Sequence, residues 1–229
     1  MGMNHRSLIL KTAPTTQIVS TAEMKTYLQV DDDTENPDIR DAIIASRQAI
    51  ENYTGRSFLN TVWNLWLDEW PRDRSREDTP DGVHNLPITH FDKALRHIVI
   101  PRPPLVSVAS ITYYDTSDTS ATFASSKYFV DVKSTPGRVC LNFDENWPTT
   151  LLRPCNGIDI QFTGGYGTSG SDVPESVLLA VKQMTKFNYR IMTGGYEEGE
   201  TVAFESDKNK SGLTDFVEKL LMPYRIARV

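Results

Sequence analysis

The hydrophobic period changes twice along this chain, and no other feature limits its folds so strongly. Near the start, Ile39, Ala42, Ile43, Ser46, Ala49, Ile50 and Tyr53 recur at helical spacing. Near the end, Val177, Ala180, Val181, Met184, Phe187 and Ile191 do the same. Between them lie short runs of β-branched and aromatic residues parted by turn residues: 61–67, 98–100, 106–114, 128–132, 138–143 and 158–162. Strands gathered without intervening helices pair antiparallel rather than in βαβ units. The expectation is an α+β fold, with N- and C-terminal helices packed together as a small bundle and an antiparallel β-rich insert between them. The expected boundaries are an N-terminal arm over 1–19, a helical core from 20–57 and 172–229, and the insert over 58–171.

Local signals mark the helix ends. Ser20-Thr21-Ala22-Glu23 has the form of a capping box. Asn36-Pro37 opens the second helix, with proline where a missing amide costs nothing, and Gly55 closes it. Asp172-Val173-Pro174-Glu175 opens the third, which ends at Gly194-Gly195. Thr214 starts a last short helix bearing Phe216, Val217, Leu220 and Leu221, and Pro223 stops it. Ile44 lies off the main stripe and points to a second buried contact. Ser134 to Gly137 reads as a hairpin turn. Residues 72–97 open on a charged loop whose signs nearly cancel, and 195–212 are polar, acidic and glycine-containing, the composition of a flexible loop.

Composition excludes several classes. The chain has 229 residues, 39% hydrophobic and 24% charged, with a net charge of −6. That balance disfavours a protein whose task is to grip nucleic acid, because phosphate contacts need clustered Lys and Arg. It suits one past which DNA slides. Cys140 and Cys155 are too few for a disulfide scaffold. Apolar runs reach four to six residues, far below the ~20 that span a bilayer. The expectation is a cytosolic protein with no membrane association.

One stretch has the skeleton of a cofactor site. Gly165-Tyr166-Gly167-Thr168-Ser169-Gly170 reads G-x-G-x-x-G between a strand and a helix. The helix begins several residues too late for its amides to face a pyrophosphate, and no strand follows to complete a βαβ unit. A glycine turn between sheet and helix accounts for it better. His5, His84, His90 and His97 form no metal-binding pattern. Trp63, Trp66, Trp70 and Trp147 could stack on bases, but sheet core or a subunit interface suits an acidic protein better. No catalytic, cofactor-binding or metal-binding residue is assigned, and the pattern is that of an assembly component.

Four stretches then resemble one family in order along the chain. Residues 38–56, with Ile50-Glu51 and Thr54-Gly55-Arg56, are similar to the "A-x-x-x-I-E-x-x-T-G-R" helix of head–tail connector (adaptor) proteins of tailed phages and gene transfer agents. Pro101-Arg102-Pro103-Pro104-Leu105 with 108–115 resembles the family's "L-P-R-P-P-L-x-S-V-x-S-I-x-Y-x-D". Phe162 to Gly167 with Val173-Pro174-Glu175 resembles "F-x-A-G-Y-G … V-P-x", with Gly164 in place of the usual alanine. Leu221-Met222-Pro223-Tyr224-Arg225 resembles "L-L-x-P-Y-R". The segment 72–97 is longer than the resemblance leads one to expect.

The resemblance implies a structural, non-enzymatic protein of the virion neck, assembled in the host cytoplasm. It implies a ring, expected to be dodecameric, beneath the portal, extending the DNA channel and presenting a surface to the next neck or tail protein. Double-stranded DNA would pass without specific binding. The C-terminal segment would dock on the portal, here Leu220, Leu221, Pro223, Tyr224, Arg225, Ile226 and Arg228. A ring needs a heterologous, closing interface, for which Ile44, Trp63, Trp66 and Trp70 are the candidates. The alternatives are another neck protein, such as a head-completion or tail-terminator factor, and, more remotely, a nucleotide-binding enzyme using Gly165 to Gly170.

Overall fold

The stripe beginning at Ile39 forms one continuous helix, α2 (Asn36–Thr54), with Pro37 in its first turn. Gly55 closes it in the left-handed conformation at φ 72°, its amide donating to the Glu51 carbonyl at 3.0 Å. A residue with a Cβ would be strained there. The computed structural model describes residues 5–71, 96–194 and 213–226. Residues 72–95 of the segment 72–97, the loop expected over 195–212, and Arg228 lie outside the described residues.

The chain divides into two units, one formed by 14–60 and 165–228 and the other by 1–13 and 61–164. In the first, α1 (Thr21–Leu28), α2, α3 (Glu175–Met192) and α4 (Asp215–Leu221) share a core. Ile39, Ala42, Ile43 and Ile50 meet Val177, Ala180, Val181 and Met184 there, with Met24, Val217 and Leu221. The expected capping box is half present. Ser20 Oγ accepts from the Glu23 amide at 3.1 Å, but the Glu23 carboxylate turns outward to Lys182 Nζ at 2.6 Å. Two residues expected in the apolar stripes are exposed. Ile191 lies beyond the last buried position of α3, Tyr189, and Phe216 faces away from the Leu213, Val217 and Leu221 row.

The second unit holds eight strands among the described residues, every ladder antiparallel. The larger sheet has the order β1-β2-β8-β4-β5, from His5–Thr12, Thr61–Leu67, Ile158–Gly164, Leu105–Tyr114 and Ser120–Thr122. The smaller has the order β3-β7-β6, from His97–Val99, Arg138–Leu141 and Tyr128–Asp131. Strand β8 shows why the fold works. Ile158, Ile160 and Phe162 are buried, while Asp159, Gln161 and Thr163 between them face outward. On that outer face Asn64 donates to both Asp159 oxygens at 2.9 Å, and Lys11 reaches Gln161 at 2.6 Å. Partial burial raises the Asp159 carboxyl above its ordinary range.

The Ser134 to Gly137 turn between β6 and β7 is organised by Asp131. Its carboxylate accepts from Ser134 Oγ at 2.5 Å and from Arg138 Nη2 at 2.7 Å. These bonds hold the Asp131 pKa well below the usual carboxylate range. A depressed native pKa stabilises above the unfolded value, about 4, and that contribution is lost as pH falls below it. Asp131→Asn is therefore expected to flatten the acid limb of a stability–pH profile and leave its alkaline limb unchanged. An acid limb as steep as wild type would contradict this. Ile160, fully buried, should cost about 2–5 kcal/mol when truncated to alanine. Ile9, about half exposed on edge strand β1, should cost within about 0.5 kcal/mol. Urea unfolding of the two variants distinguishes core from edge.

Candidate assembly surfaces

The four sequence motifs are far apart in the chain, yet three of them meet in the helical unit. Glu51, on the last full turn of α2, accepts from the amide of buried Phe58 at 2.9 Å and so sets the path out of the helix. Arg56 then points at the C-terminal segment. Its Nε donates to the Tyr224 carbonyl at 2.5 Å, and its Nη1 lies 3.4 Å from the Tyr166 hydroxyl. Tyr224 shares a hydrogen bond with Ser176 Oγ at 2.8 Å, in the first turn of α3. The Ile226 amide donates to the Thr54 carbonyl at 3.0 Å, and the Arg225 guanidinium sits 5.3 Å from the Tyr53 ring centre. Burial pushes the Tyr166 hydroxyl up, and Arg56 partly offsets this. The helix end, the glycine loop with the start of α3, and the C-terminal segment thus form one junction.

Of the expected docking residues, Leu221 is buried in the helical core and Leu220, Tyr224 and Ile226 are half-buried. Pro223 and Arg225 are exposed, and Met222 between them is 75% exposed. Sequence reasoning did not foresee the parts of Glu51, Arg56, Tyr166 and Ser176. Two of these act on backbone groups, which carry no side-chain signature.

The glycine loop is filled by the chain itself. A Cβ on Gly165 would lie 2.5 Å from the Asn60 nitrogen, and one on Gly170 would lie 2.0 Å from the Ile18 carbonyl oxygen. The Asp172 carboxylate accepts from the Ser169 amide at 3.0 Å. That amide is therefore turned toward an acid rather than a phosphate. Tight backbone packing explains these glycines. Among the described residues no group of three or more His, Cys, Asp or Glu side chains is placed to hold a metal. No described helix is long and apolar enough to cross a membrane. Cys140 and Cys155 are both free thiols, and burial raises the pKa of Cys140.

The expected ring residues fall into different settings. Ile44 is half-buried on α2. Trp63 packs against the β core with Arg102 5.1 Å from its ring centre. Trp66 lies on the outer sheet face, against Tyr114 at 6.1 Å and Arg153 at 5.8 Å. Trp70 is buried, stacked on Trp147 at 5.0 Å and packed against Phe123, so it serves the core of this unit. Large apolar side chains are exposed elsewhere: Phe143 at 91%, Phe129 and Ile9 in the β unit, and Met222 and Phe216 in the helical unit.

These are features of a structural protein, an α+β chain whose polar groups fix its own segments and which leaves several large apolar side chains at the surface. Residues 17–227 match the family model described as head completion protein, and the chain belongs to that family. It is a virion structural protein, not an enzyme. Its fold is similar to that of a chain from the neck of an empty gene transfer agent particle computed with sixfold symmetry, at a TM-score of 0.70 and 18% identity, covering 97% of each chain. A chain from the virion of the native gene transfer agent particle matches at a TM-score of 0.67 and 18% identity, covering 97% of this chain and 96% of that one. A chain from the neck of the native particle computed with twelvefold symmetry matches at 0.65 and 18% identity, covering 97% of each. No curated protein matches the sequence.

Glu51 is the most exacting test of the junction. Glu51→Ala strips the buried Phe58 amide of this acceptor and should cost about 1–3 kcal/mol in urea unfolding. Glu51→Gln keeps an acceptor and should cost less. Equal losses for the two would show that the acceptor is not what matters.

Proposed function

We propose that this protein is a head-to-tail connector at the virion neck. Copies of it close into a ring beneath the portal, extend the DNA channel and offer the attachment surface for the next neck or tail protein. The observation that carries this reading is the end-to-end fold likeness to neck chains of particles computed with sixfold and twelvefold symmetry, within a family of head completion proteins. The chemistry of the chain is in keeping with it. A net charge of −6 weakens any hold on passing phosphates. Ile44, Trp63 and Trp66 retain accessible surface for a heterologous ring contact. The C-terminal residues Leu220 to Ile226 and Arg228 supply an aromatic and basic segment for docking on the portal.

The family's own description favours a second reading, a head-completion factor seated elsewhere in the neck. Deleting residues 223–229 separates them. The connector reading expects a folded chain that no longer binds portal protein, and filled heads that fail to join tails. Unaltered tail joining and portal binding would overturn it. Electron microscopy of the protein alone and mixed with portal should show, in the mixture, a ring of this protein seated on the portal.

A further inference from the structure

The C-terminal segment is attached in two unlike ways. Leu213, Val217 and Leu221 are buried in the helical core, so α4 is part of the fold. Past Leu221 the attachment changes character. None of Met222, Pro223, Tyr224, Arg225 and Ile226 is buried, and Met222 is 75% exposed. What holds this stretch is mostly polar: the Arg56 bond to the Tyr224 carbonyl, the Ser176 bond to the Tyr224 hydroxyl, the Ile226 amide on the Thr54 carbonyl, and the Arg225 guanidinium over the Tyr53 ring. Tyr224 and Ile226 add partial apolar contact, Ile226 lying against Gly55.

Segments held by few buried apolar contacts open locally at much lower cost than the global fold. We infer that Met222–Ile226 is a detachable latch, hinged at Leu221 and caught by Arg56, which keeps the C-terminal segment on its own subunit until a partner takes it. This rests on the connector reading for the identity of that partner, the portal, and adds a regulation of the same segment. The consequence is quantitative. A partner that needs the segment free binds with its affinity reduced by the fraction of molecules in which the latch is open. Loosening the catch should raise apparent affinity without any change at the contact surface. Arg56 suits this role because its bond goes to a backbone carbonyl, which leaves the Met222 and Pro223 side chains exposed.

The test is hydrogen exchange on the full chain, read at the Ile226 amide, which reports directly on the bond to Thr54. Arg56→Ala and the milder Ser176→Ala are compared with wild type. Loss of a charge-assisted bond should speed exchange at Ile226 by about tenfold or more. The amides of α2 and α4 should stay protected, which also reports that each variant is folded. If Arg56→Ala does not fold, Ser176→Ala decides. Association with purified portal protein should strengthen by the same factor as the opening. Unaltered Ile226 exchange in the folded variants, or faster opening with unchanged portal association, overturns the latch. The chain lacking residues 223–229 keeps the two readings apart. If it binds portal as wild type does, the docking role fails, and Ile226 exchange alone then judges the latch.

Discussion

The helical unit is built from two stretches of chain, with residues 61–164 of the β unit between them in sequence, and burial of α2 against α3 makes them one body. Ile39, Ile43 and Ile50 on one helix and Val177, Val181 and Met184 on the other are almost fully removed from water. Ala42, Ser46 and Ala180 are small and buried, which allows close approach. Asn188 closes the far end with a bond to Ser46 Oγ at 2.9 Å. α1 is then tied to α3 by Glu23–Lys182 at 2.6 Å and Tyr27–Gln183 at 2.7 Å. Insertion length costs little here, about 0.6 kcal/mol per doubling of a flexible loop. A large β unit between α2 and α3 is therefore compatible with a stable helical one, provided the interface is apolar and well filled.

That interface was legible in the sequence because both of its faces are amphipathic. The periodicity located α2 and α3, Gly55 and Pro37 marked ends that carry their own chemistry, and the alternation of 61–67 returned as β2. Where a segment takes its state from a neighbour, the sequence was silent. β1 has only Leu8, Ile9 and Leu10 among polar residues and becomes a strand by pairing with β2, Leu8 against the core. β5 is three exposed residues laid on the edge of β4. Ile191 and Phe216 have the right spacing, but how far a stripe stays covered depends on the elements packed on it.

The same limit applied to the surfaces. The motifs were recognisable in order, and their convergence was not, because an arginine that donates to a distant carbonyl looks in sequence like any surface arginine. G-x-G-x-x-G shows the converse. The spacing fits a phosphate cradle, yet glycine is needed here because the chain's own backbone and the Asp172 carboxylate come within contact of each position. The tryptophans show how little residue type alone decides: Trp66 lies on the outer sheet face under Arg153 while Trp70, four residues later, is buried against Trp147.

A subunit that must associate only at the right time and place has two means of restraint. It can bury its adhesive groups, or it can satisfy their polar atoms internally. Both are visible here. Trp70 and Leu221 are spent on the two cores, and the Tyr224 carbonyl and hydroxyl are satisfied by Arg56 and Ser176. The exposed apolar side chains include Phe143 and Ile9 in one unit and Met222 and Phe216 in the other. In the ring proposed above each subunit would be touched on two sides at once, so modest contacts add by effective concentration once the first has formed. Under the connector reading, such additive contacts favour closed assembly over indiscriminate aggregation.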